Sequence, residues 1–296
     1  MTPLPRLDGA LCVVTGGTSG IGYGAALGLA RLGAELVLPS RDLERGEHTA
    51  AAIRKQTGAT VWVRGCDLGA LSSVREFAEG YLRTFRRADV LVNSAGALFP
   101  TRQLTPDGFE ATLAIDYLGP FLLTRSLLPA LARAGRVGAP ARIVNVSGEY
   151  HRRVRLDLDD LQLERGYGLV RAGAQAVLAK LMFTVELARR LPPGVTANAV
   201  HPGAVRSGLL RNLPWPLRIA AALARPFMLG PEAGAETVLY LAASPDVAEV
   251  SGGYFARCAP LEPAAHALDP EACRRLWEAS AALTEGARGL TNALRG

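Results

Sequence analysis

Short apolar runs rich in β-branched residues alternate along the chain with longer segments in which apolar residues recur every three or four positions. The short runs are typical of buried parallel strands, and the longer segments are typical of helices that cover a sheet. Strands are predicted at 11–15, 35–39, 61–64, 90–93, 142–147, 196–200 and 253–255, and helices at 20–32, 42–56, 70–85, 106–133, 171–191 and 231–244. This alternation predicts an α/β fold, a doubly wound parallel sheet of about seven strands with helices on both faces.

Two segments depart from the alternation. Residues 203–229 form a long apolar excursion after the sixth strand. Ligands bind at the carboxyl ends of the strands in such sheets, so this excursion is either a substrate lid or a helical pair packed on the surface. Near the end of the chain an amphipathic helix is expected at about 270–284. A single domain is therefore expected over residues 1–285, followed by a disordered tail at 286–296.

Composition narrows the classes of partner. With 49% hydrophobic residues the chain can fill a core, and its net charge of +6 is dispersed rather than gathered into a basic stripe with aromatic residues, so no nucleic-acid partner is expected. No apolar run has the length of a signal peptide or a membrane span, and a cytoplasmic protein without a membrane partner is expected. The four cysteines lack metal-site spacing, and no metal is expected.

The stretch VVTGGTSGIGYGAALGLARLGAELVLPSRD carries the strongest chemical signal. A predicted strand runs into Gly16, Gly20 and Gly22, and a helix and a second strand follow. Glycines there allow a tight turn and let the backbone N–H groups at the helix N-terminus approach a pyrophosphate. After the second strand stands Arg41, where an acidic residue would bind the ribose hydroxyls of NAD, so NADP(H) is the expected cofactor. Alternatively, Arg41 is simply exposed.

Five motifs follow one another in an order that resembles the short-chain dehydrogenase/reductase family: TGGTSGIG at 15–22, CDL at 66–68, NSAG at 93–96, VNVS at 144–147 and HPGAV at 201–205. The C-terminal part, from PEAGAETVLYL onward, is similar to the retinol-dehydrogenase-like branch. The resemblance implies a Rossmann-type sheet of order 3-2-1-4-5-6-7, with Asp67 at the adenine, Asn93 near the adenine ribose and residues 202–207 along the nicotinamide. The implied cofactor set is Gly16, Thr18, Ser19, Gly20, Ile21, Gly22, Arg41, Asp67, Leu68, Asn93, Ala95, Gly96, Pro202, Gly203, Val205 and Ser207.

The family's catalytic residues are replaced when the resemblance is followed residue by residue. The family uses a tyrosine with a lysine four residues further on, a serine at the preceding strand end and an asparagine on the fourth helix. In the segment RAGAQAVLAKLMF, at 171–183, the tyrosine position is Gly173 and the lysine position is Val177. The serine position is Gly148 and the asparagine position is Asp116. Because two of these changes remove bulk, a roomy pocket is expected.

Other residues could supply the missing proton donor. Tyr150 and His151 follow Gly148 on the loop at the strand end, and histidine titrates near neutrality. Burial could raise the pKa of Asp116 and make it an acid. Packing roles for Tyr150 and His151, and a solvated or capping role for Asp116, stay open. Lys180 lies three residues beyond Val177 on the same helix face and could lean toward that position. It is nevertheless one helical turn further along the axis, so we expect it to face solvent or another subunit.

Three functions are compatible with these residues. The first is an NADP(H)-binding enzyme with non-redox or unorthodox chemistry, such as cyclisation, elimination or isomerisation, on a bulky natural-product intermediate of secondary metabolism. The second is an NADPH-dependent carbonyl reductase with a substitute proton donor, and the third is a nucleotide-binding pseudoenzyme that acts as a partner subunit. A bulky, apolar small-molecule substrate is expected, and the resemblance implies a homodimer or homotetramer.

Overall fold

A computed structural model describes residues 3–206, 208, 215, 219, 226 and 228–293. Its centre is one eight-stranded sheet with the order β3-β2-β1-β4-β5-β6-β7-β8. The strands are β1 Leu11–Thr15, β2 Glu35–Ser40, β3 Val61–Gly65, β4 Val90–Asn93, β5 Ala141–Val146, β6 Val195–His201, β7 Tyr254–Ala256 and β8 Ala259–Pro260. Strands β1 to β7 are parallel, so the predicted strands and their order are confirmed.

The eighth strand was missed from the sequence. It pairs antiparallel with β7 through a two-residue turn, in which Arg257 and Cys258 both have positive φ angles of 51° and 60°. Hairpin turns of this geometry normally carry glycine or asparagine, which stand in left-handed conformations at little cost. Because neither residue is present here, the hairpin could not be predicted from the residues of its turn.

Helices cover both faces of the sheet. They are α1 Gly20–Arg31, α2 Leu43–Thr57, α3 Leu71–Thr84, α4 Ala111–Leu113, α5 Gly119–Ala134, α6 Leu169–Arg190, α7 Pro231–Ala243 and α8 Pro270–Ala293. One buried apolar cluster lies between the sheet and α1, α2 and α7, and a second lies between the sheet and α3, α5, α6 and α8. The long helix predicted at 106–133 is divided, because a π-helical turn at Ala114–Leu118 separates α4 from α5.

The last helix, α8, packs on the outer side of α5 and α6. Its Trp277 stacks on Phe183 and meets Phe121 edge-on, with ring centroids 5.8 and 5.1 Å apart. Ser280 and the buried Tyr117 hydroxyl form a 2.7 Å hydrogen bond. The helix continues to Ala293, beyond the end predicted at about 284, whereas the disorder expected at 286–296 stays a prediction.

The predicted excursion lies largely outside the described residues. Its two ends are joined, because the Arg206 N–H donates to the Leu229 carbonyl at 3.0 Å and the Leu229 N–H donates to the Ala204 carbonyl at 2.8 Å. Both ends therefore start from one place, beside the carboxyl end of β6. Within the described residues, no helix has both the length and the apolar character needed to cross a membrane.

Candidate nucleotide and substrate site

A cavity of about 560 Å³ opens at the carboxyl edge of the sheet. Residues at or just after the ends of β1 to β6 line it, among them Gly16, Ser40, Ser94, Ser147 and His201. This is the edge where doubly wound sheets bind ligands. The cavity therefore defines the candidate site, and each predicted residue can be placed relative to it.

The glycine turn between β1 and α1 forms one wall of this cavity. Gly16 has a φ angle of +67°, and a Cβ on it would stand 2.8 Å from the Cα of Ala95. A Cβ on Gly22 would overlap the carbonyl oxygen of Gly16. The turn can close this tightly only with glycine at both positions. It leaves the first N–H groups of α1 beside the cavity, where a phosphate would be stabilised.

Two arginines stand at the far end of the glycine turn. Arg41 is exposed and lines the cavity, as does Arg45 in the first turn of α2, whose guanidinium donates to the Thr18 carbonyl at 3.3 Å. The acidic neighbour Asp42 is occupied as the N-cap of α2, since its carboxylate accepts from the Arg45 N–H at 3.0 Å. This end of the cavity is therefore basic and suits a phosphate. Sequence reasoning missed Arg45, although a second arginine in the helix turn after β2 is a readable signal.

Most residues of the predicted cofactor set line this cavity. Those that do are Gly16, Thr18, Ser19, Ile21, Gly22, Arg41, Asp67, Leu68, Ala95, Gly96, Pro202, Gly203 and Val205. Gly20 is buried at the start of α1 and acts through the turn, with a φ angle of +53°. Ser207 lies outside the described residues.

Asn93 is the one described residue of the predicted cofactor set, besides Gly20, that does not line the cavity. Its side chain is fully buried, and its amide nitrogen donates to Thr124 Oγ1 at 2.9 Å and to Asn145 Oδ1 at 2.8 Å. These bonds tie β4 to β5 and to α5 beneath the cavity, and Asn93 is not among the lining residues. The amide nitrogen is satisfied by these two partners, whereas Oδ1 is buried without a hydrogen-bond partner within the described residues. The implied place of Asn93 near the adenine ribose stays a prediction.

The two glycines that the resemblance places at the family's catalytic positions have different surroundings. Gly148 lines the cavity, and a Cβ on it would meet Val177 Cγ1 at 3.6 Å, which is ordinary contact. Gly173 does not line the cavity, and a Cβ on it would stand 2.8 Å from Leu98 Cδ2. The expected extra room beside Gly173 is therefore absent, because the Leu98 side chain packs against the helix there.

His151 is locked in place, so its prediction as a catalyst is wrong. The ring is fully buried, and its Nε2 accepts from the Ala264 N–H at 3.2 Å. Its Nδ1 lies 2.8 Å from the Gly148 carbonyl, so Nδ1 carries the hydrogen and donates to that oxygen. Burial lowers the pKa of this histidine, which favours this neutral form. The side chain holds the loop after β5 to the segment after β8.

Tyr150 stands at the mouth of the cavity. It lines the cavity with 54% of its surface exposed, and the Arg153 guanidinium lies 5.1 Å from its ring centroid. The structure thus separates two neighbours that were proposed together. Tyr150 can reach a ligand, whereas His151 cannot.

Asp116 and Lys180 are the most buried of the charged residues that line the cavity. Asp116 belongs to the π-helical turn, is 8% exposed, and accepts from the Ala97 N–H through Oδ1 at 2.7 Å. Burial raises the pKa of Asp116 to about 7, against the opposing effects of Lys180 and of the Ala97 hydrogen bond. The prediction that burial raises the pKa of Asp116 is therefore confirmed. π-Helical turns occur frequently at functional sites.

Lys180 is buried and lines the cavity, so the prediction of a solvent- or subunit-facing lysine is wrong. It is 4% exposed, and burial lowers the pKa of its amine while Asp116 opposes that change. Helical side chains lean toward the N-terminus of their helix, and this direction brings the lysine back over the turn that holds Val177. The direction of the Lys180 side chain therefore offsets its position one turn further along the helix.

A further pair was missed from the sequence. His201 ends β6, and its Nε2 lies 3.8 Å from Glu149 Oε2. Both residues line the cavity, and burial lowers the pKa of this histidine. The Nδ1 atom of His201 is buried without a hydrogen-bond partner within the described residues. The HPGAV motif contained the signal, but only its glycine turn was considered.

Comparisons with known proteins identify the relatives of this chain. The family model for short chain dehydrogenase matches residues 10–154. Human retinol dehydrogenase 13 is 40% identical, covering 94% of this chain and 85% of its own. An uncharacterised protein from Mycobacterium paratuberculosis has a similar structure, with a TM-score of 0.77, 33% identity and coverage of 95% and 96%. The RhlG protein of Pseudomonas aeruginosa, solved with NADP, has a TM-score of 0.68, 26% identity and coverage of 87% and 98%.

The chain belongs to the short-chain dehydrogenase/reductase family. Within it, the similarity to retinol dehydrogenases confirms the predicted branch. Because these relatives are named as dehydrogenases, membership favours an oxidoreductase. The non-redox tailoring role that the sequence suggested first gains no support from these comparisons.

Proposed function

We propose that this protein is an NADP(H)-dependent oxidoreductase that interconverts a carbonyl group and an alcohol on an apolar small molecule. The observation that carries the proposal is the single cavity that runs from the glycine turn and its two arginines to the buried Asp116 and Lys180. Such a cavity joins a nucleotide-binding end to an end with titratable groups. Oxidoreductases of this fold need both ends in one space.

The nucleotide end has the chemistry that NADP(H) requires. The first turn of α1 offers N–H groups to a pyrophosphate, and Arg41 with Arg45 offers two cations to a 2′-phosphate. Ser94 lines the same cavity, and its buried hydroxyl has no hydrogen-bond partner within the described residues. The bound nicotinamide would supply the hydride that a carbonyl reduction consumes. Binding of NADP to the related RhlG protein supports this assignment.

The substrate end is mostly apolar. Ala176, Val177, Val205 and Met228 line it, and polar groups are confined to a few positions. Sites of this kind bind apolar molecules and orient them through their few polar groups. The names of the retinol dehydrogenases that the chain resembles also refer to an apolar alcohol. We therefore propose an apolar carbonyl compound, or the corresponding alcohol, as the substrate.

One observation favours a second function. Leu98 packs at Gly173 and Val177 stands at the cavity wall, at the positions where the family resemblance places a tyrosine and a lysine. A protein without those groups could bind NADP(H) and catalyse a non-redox step on the bulky intermediate expected from the sequence. The two functions differ in one measurable respect, which is whether the bound nucleotide is oxidised.

The test has two stages. Fluorescence titration should show tighter binding of NADPH than of NADH. Absorbance of the reduced nicotinamide should then fall steadily when the protein and NADPH are mixed with apolar aldehydes and ketones, compared with a mixture that lacks the carbonyl compound. Binding without consumption across the panel would favour the non-redox function, and absence of nucleotide binding would refute the proposal.

A further inference from the structure

We propose that Asp116 and Lys180 form the proton-transfer site of this protein, in which Asp116 exchanges a proton with the substrate oxygen and Lys180 restores it. The inference rests on the proposed oxidoreductase function and names the groups that would complete it. It assigns Asp116 as a catalytic residue and Lys180 as the residue that acts through it.

The placement of the two side chains supports this assignment. They come from different elements, the π-helical turn and α6, and both line the cavity beside Val177 and Gly148. The Ala97 N–H fixes one carboxylate oxygen of Asp116. Neither a hydrogen bond nor an ion pair joins Asp116 to Lys180 in the part of the chain that the structure describes. The two groups therefore do not saturate each other, and both residues line the cavity.

Burial shifts the pKa of each group toward neutrality. Desolvation disfavours the charged forms of a carboxyl and of an amine, so it raises the pKa of Asp116 and lowers that of Lys180. Glu110, whose carboxylate accepts from the N–H groups of Thr112 and Leu113 at the start of α4, raises the pKa of Asp116 further. The attraction between Asp116 and Lys180 acts in the opposite direction, and the two groups titrate as a coupled pair.

The chain's choice of basic residues adds an independent argument. Of its 33 basic residues, 31 are arginine, and the two lysines are Lys55 and Lys180. Arginine does not lose its proton in proteins, whereas a buried lysine does so readily. A chain that uses arginine almost everywhere carries a lysine at the one deep position in the cavity where an amine can release and regain a proton.

Reduction of a carbonyl group to an alcohol requires one hydride and one proton. During reduction of a carbonyl, the oxygen must gain one proton, and the neutral Asp116 carboxyl gives it, which leaves a carboxylate. Because no hydrogen bond joins the two groups, the Lys180 ammonium then passes a proton to this carboxylate through a water molecule between them and becomes a neutral amine, which regains a proton from solvent. One proton from solvent is consumed for each hydride that the carbonyl carbon accepts. Oxidation of the alcohol runs through the same groups in reverse.

The other proton donors near the site are less well placed. His151 has both ring nitrogens engaged, and Tyr150 is half exposed at the mouth. The His201 and Glu149 pair also lines the cavity, but the Glu149 side chain is 59% exposed. Among these groups only Asp116 and Lys180 combine deep burial with access to the cavity. Proton transfer shielded from bulk water therefore points to them.

A labelling experiment tests the pair without nucleotide or turnover. The intact protein is treated with acetic anhydride over a range of pH, and the modification of Lys180 and Lys55 is followed by peptide mass spectrometry. We expect Lys180 to react with a pH midpoint below that of Lys55, which lies on the exposed side of α2. In Asp116→Asn this midpoint should fall further, since the carboxylate that favours the ammonium is lost. No labelling of Lys180, or equal midpoints for both lysines, would overturn the proposal.

Kinetics then separates a relay from a purely electrostatic role. With the best substrate of the panel, Asp116→Asn should lower kcat about 100-fold or more, as expected when a general acid is lost. Lys180→Met and Lys180→Arg should both lower kcat and shift its pH profile, while Lys55→Met should match the wild type. If Lys180→Arg keeps full activity, a fixed positive charge suffices and the relay is refuted. NADPH titration of every variant identifies any that has lost its fold.

The two experiments distinguish failure of the pair from failure of the proposed function. If wild-type protein does not consume NADPH with any carbonyl compound while Lys180 keeps its low midpoint and its response to Asp116→Asn, the oxidoreductase assignment fails and the coupled pair stands. If NADPH is consumed and Asp116→Asn retains wild-type kcat, the oxidoreductase stands and the pair is refuted.

Discussion

Substitution of Gly173 by alanine tests whether Leu98 occupies the place of the family's tyrosine. In the structure, a methyl group on residue 173 would stand 2.8 Å from Leu98 Cδ2, closer than carbon atoms normally approach. Leu98 is only half-buried, so its side chain can move in response. The substitution therefore combines a gain in helix stability with a local steric cost.

The two effects can be given magnitudes. Replacement of a glycine inside a helix by alanine stabilises a protein by about 0.5–1 kcal/mol. Forcing an extra methyl group into a packed site costs about 1–3 kcal/mol, and we expect the lower end because Leu98 is half-buried. Gly173→Ala should thus change the free energy of unfolding by less than about 0.5 kcal/mol in the wild type, and should stabilise the Leu98→Ala variant by about 1 kcal/mol.

Urea denaturation of the four proteins in this double-mutant cycle gives the coupling energy between the two positions. We expect about 1 kcal/mol, which exceeds the deviation of about 0.3–0.5 kcal/mol usual for independent sites. Gly80 in α3 is a matched control, because a Cβ on it would have only Arg83 Nη2 nearby, at 3.9 Å. Gly80→Ala should give its full stabilisation with either residue at position 98. Additive effects of Gly173→Ala and Leu98→Ala would refute the contact.

Four further predictions concern the nucleotide turn, the basic end, Asp116 and His151. Gly22→Ala should abolish NADPH binding in fluorescence titration, because its Cβ overlaps the Gly16 carbonyl, while Gly286→Ala should bind normally. Arg41→Ala should weaken NADPH about 10- to 100-fold and leave NADH unchanged. Asp116 favours its neutral form when folded, so the wild type should lose stability as pH rises from 3.8 to about 7. Asp116→Asn should lack that slope in urea denaturation. His151→Ala should lower the free energy of unfolding by about 2–4 kcal/mol in the same assay, and a smaller loss would contradict its anchoring role.

The sheet could be predicted because its signal is local. Strands β1 and β4 begin and end at the predicted residues. In an α/β protein, short runs of valine and leucine bounded by turn residues are typical of buried strands. The π-helical turn at Ala114–Leu118 could not be predicted, because it depends on how α4 and α5 pack rather than on their own residues. The hairpin at Arg257 and Cys258 was missed for a related reason, since tertiary packing there overrides turn preference.

The site was only partly predictable, because a sequence gives positions and not directions. The positions of Gly148 and Asp116 at the cavity followed from the motifs around them. The Leu98 contact did not, because Leu98 comes from a loop 75 positions before Gly173 in the sequence. Lys180 was placed wrongly because its distance along the helix axis was given more weight than the lean of its side chain. His151 was overestimated because its nearness to the site in sequence says nothing about the partners of its ring.

The packing of Trp277 and Ser280 on α5 and α6 affects the order in which the molecule can fold. During synthesis, α8 follows the aromatic residues that it covers, which are Tyr117, Phe121 and Phe183. The outer side of these residues stays exposed until α8 has been synthesised and has packed against them. A nascent chain that has completed its sheet therefore still presents an aromatic surface. Such surfaces favour association with other chains or with chaperones. Shortened versions of this protein that end before residue 270 should accumulate as aggregates rather than as smaller folded domains.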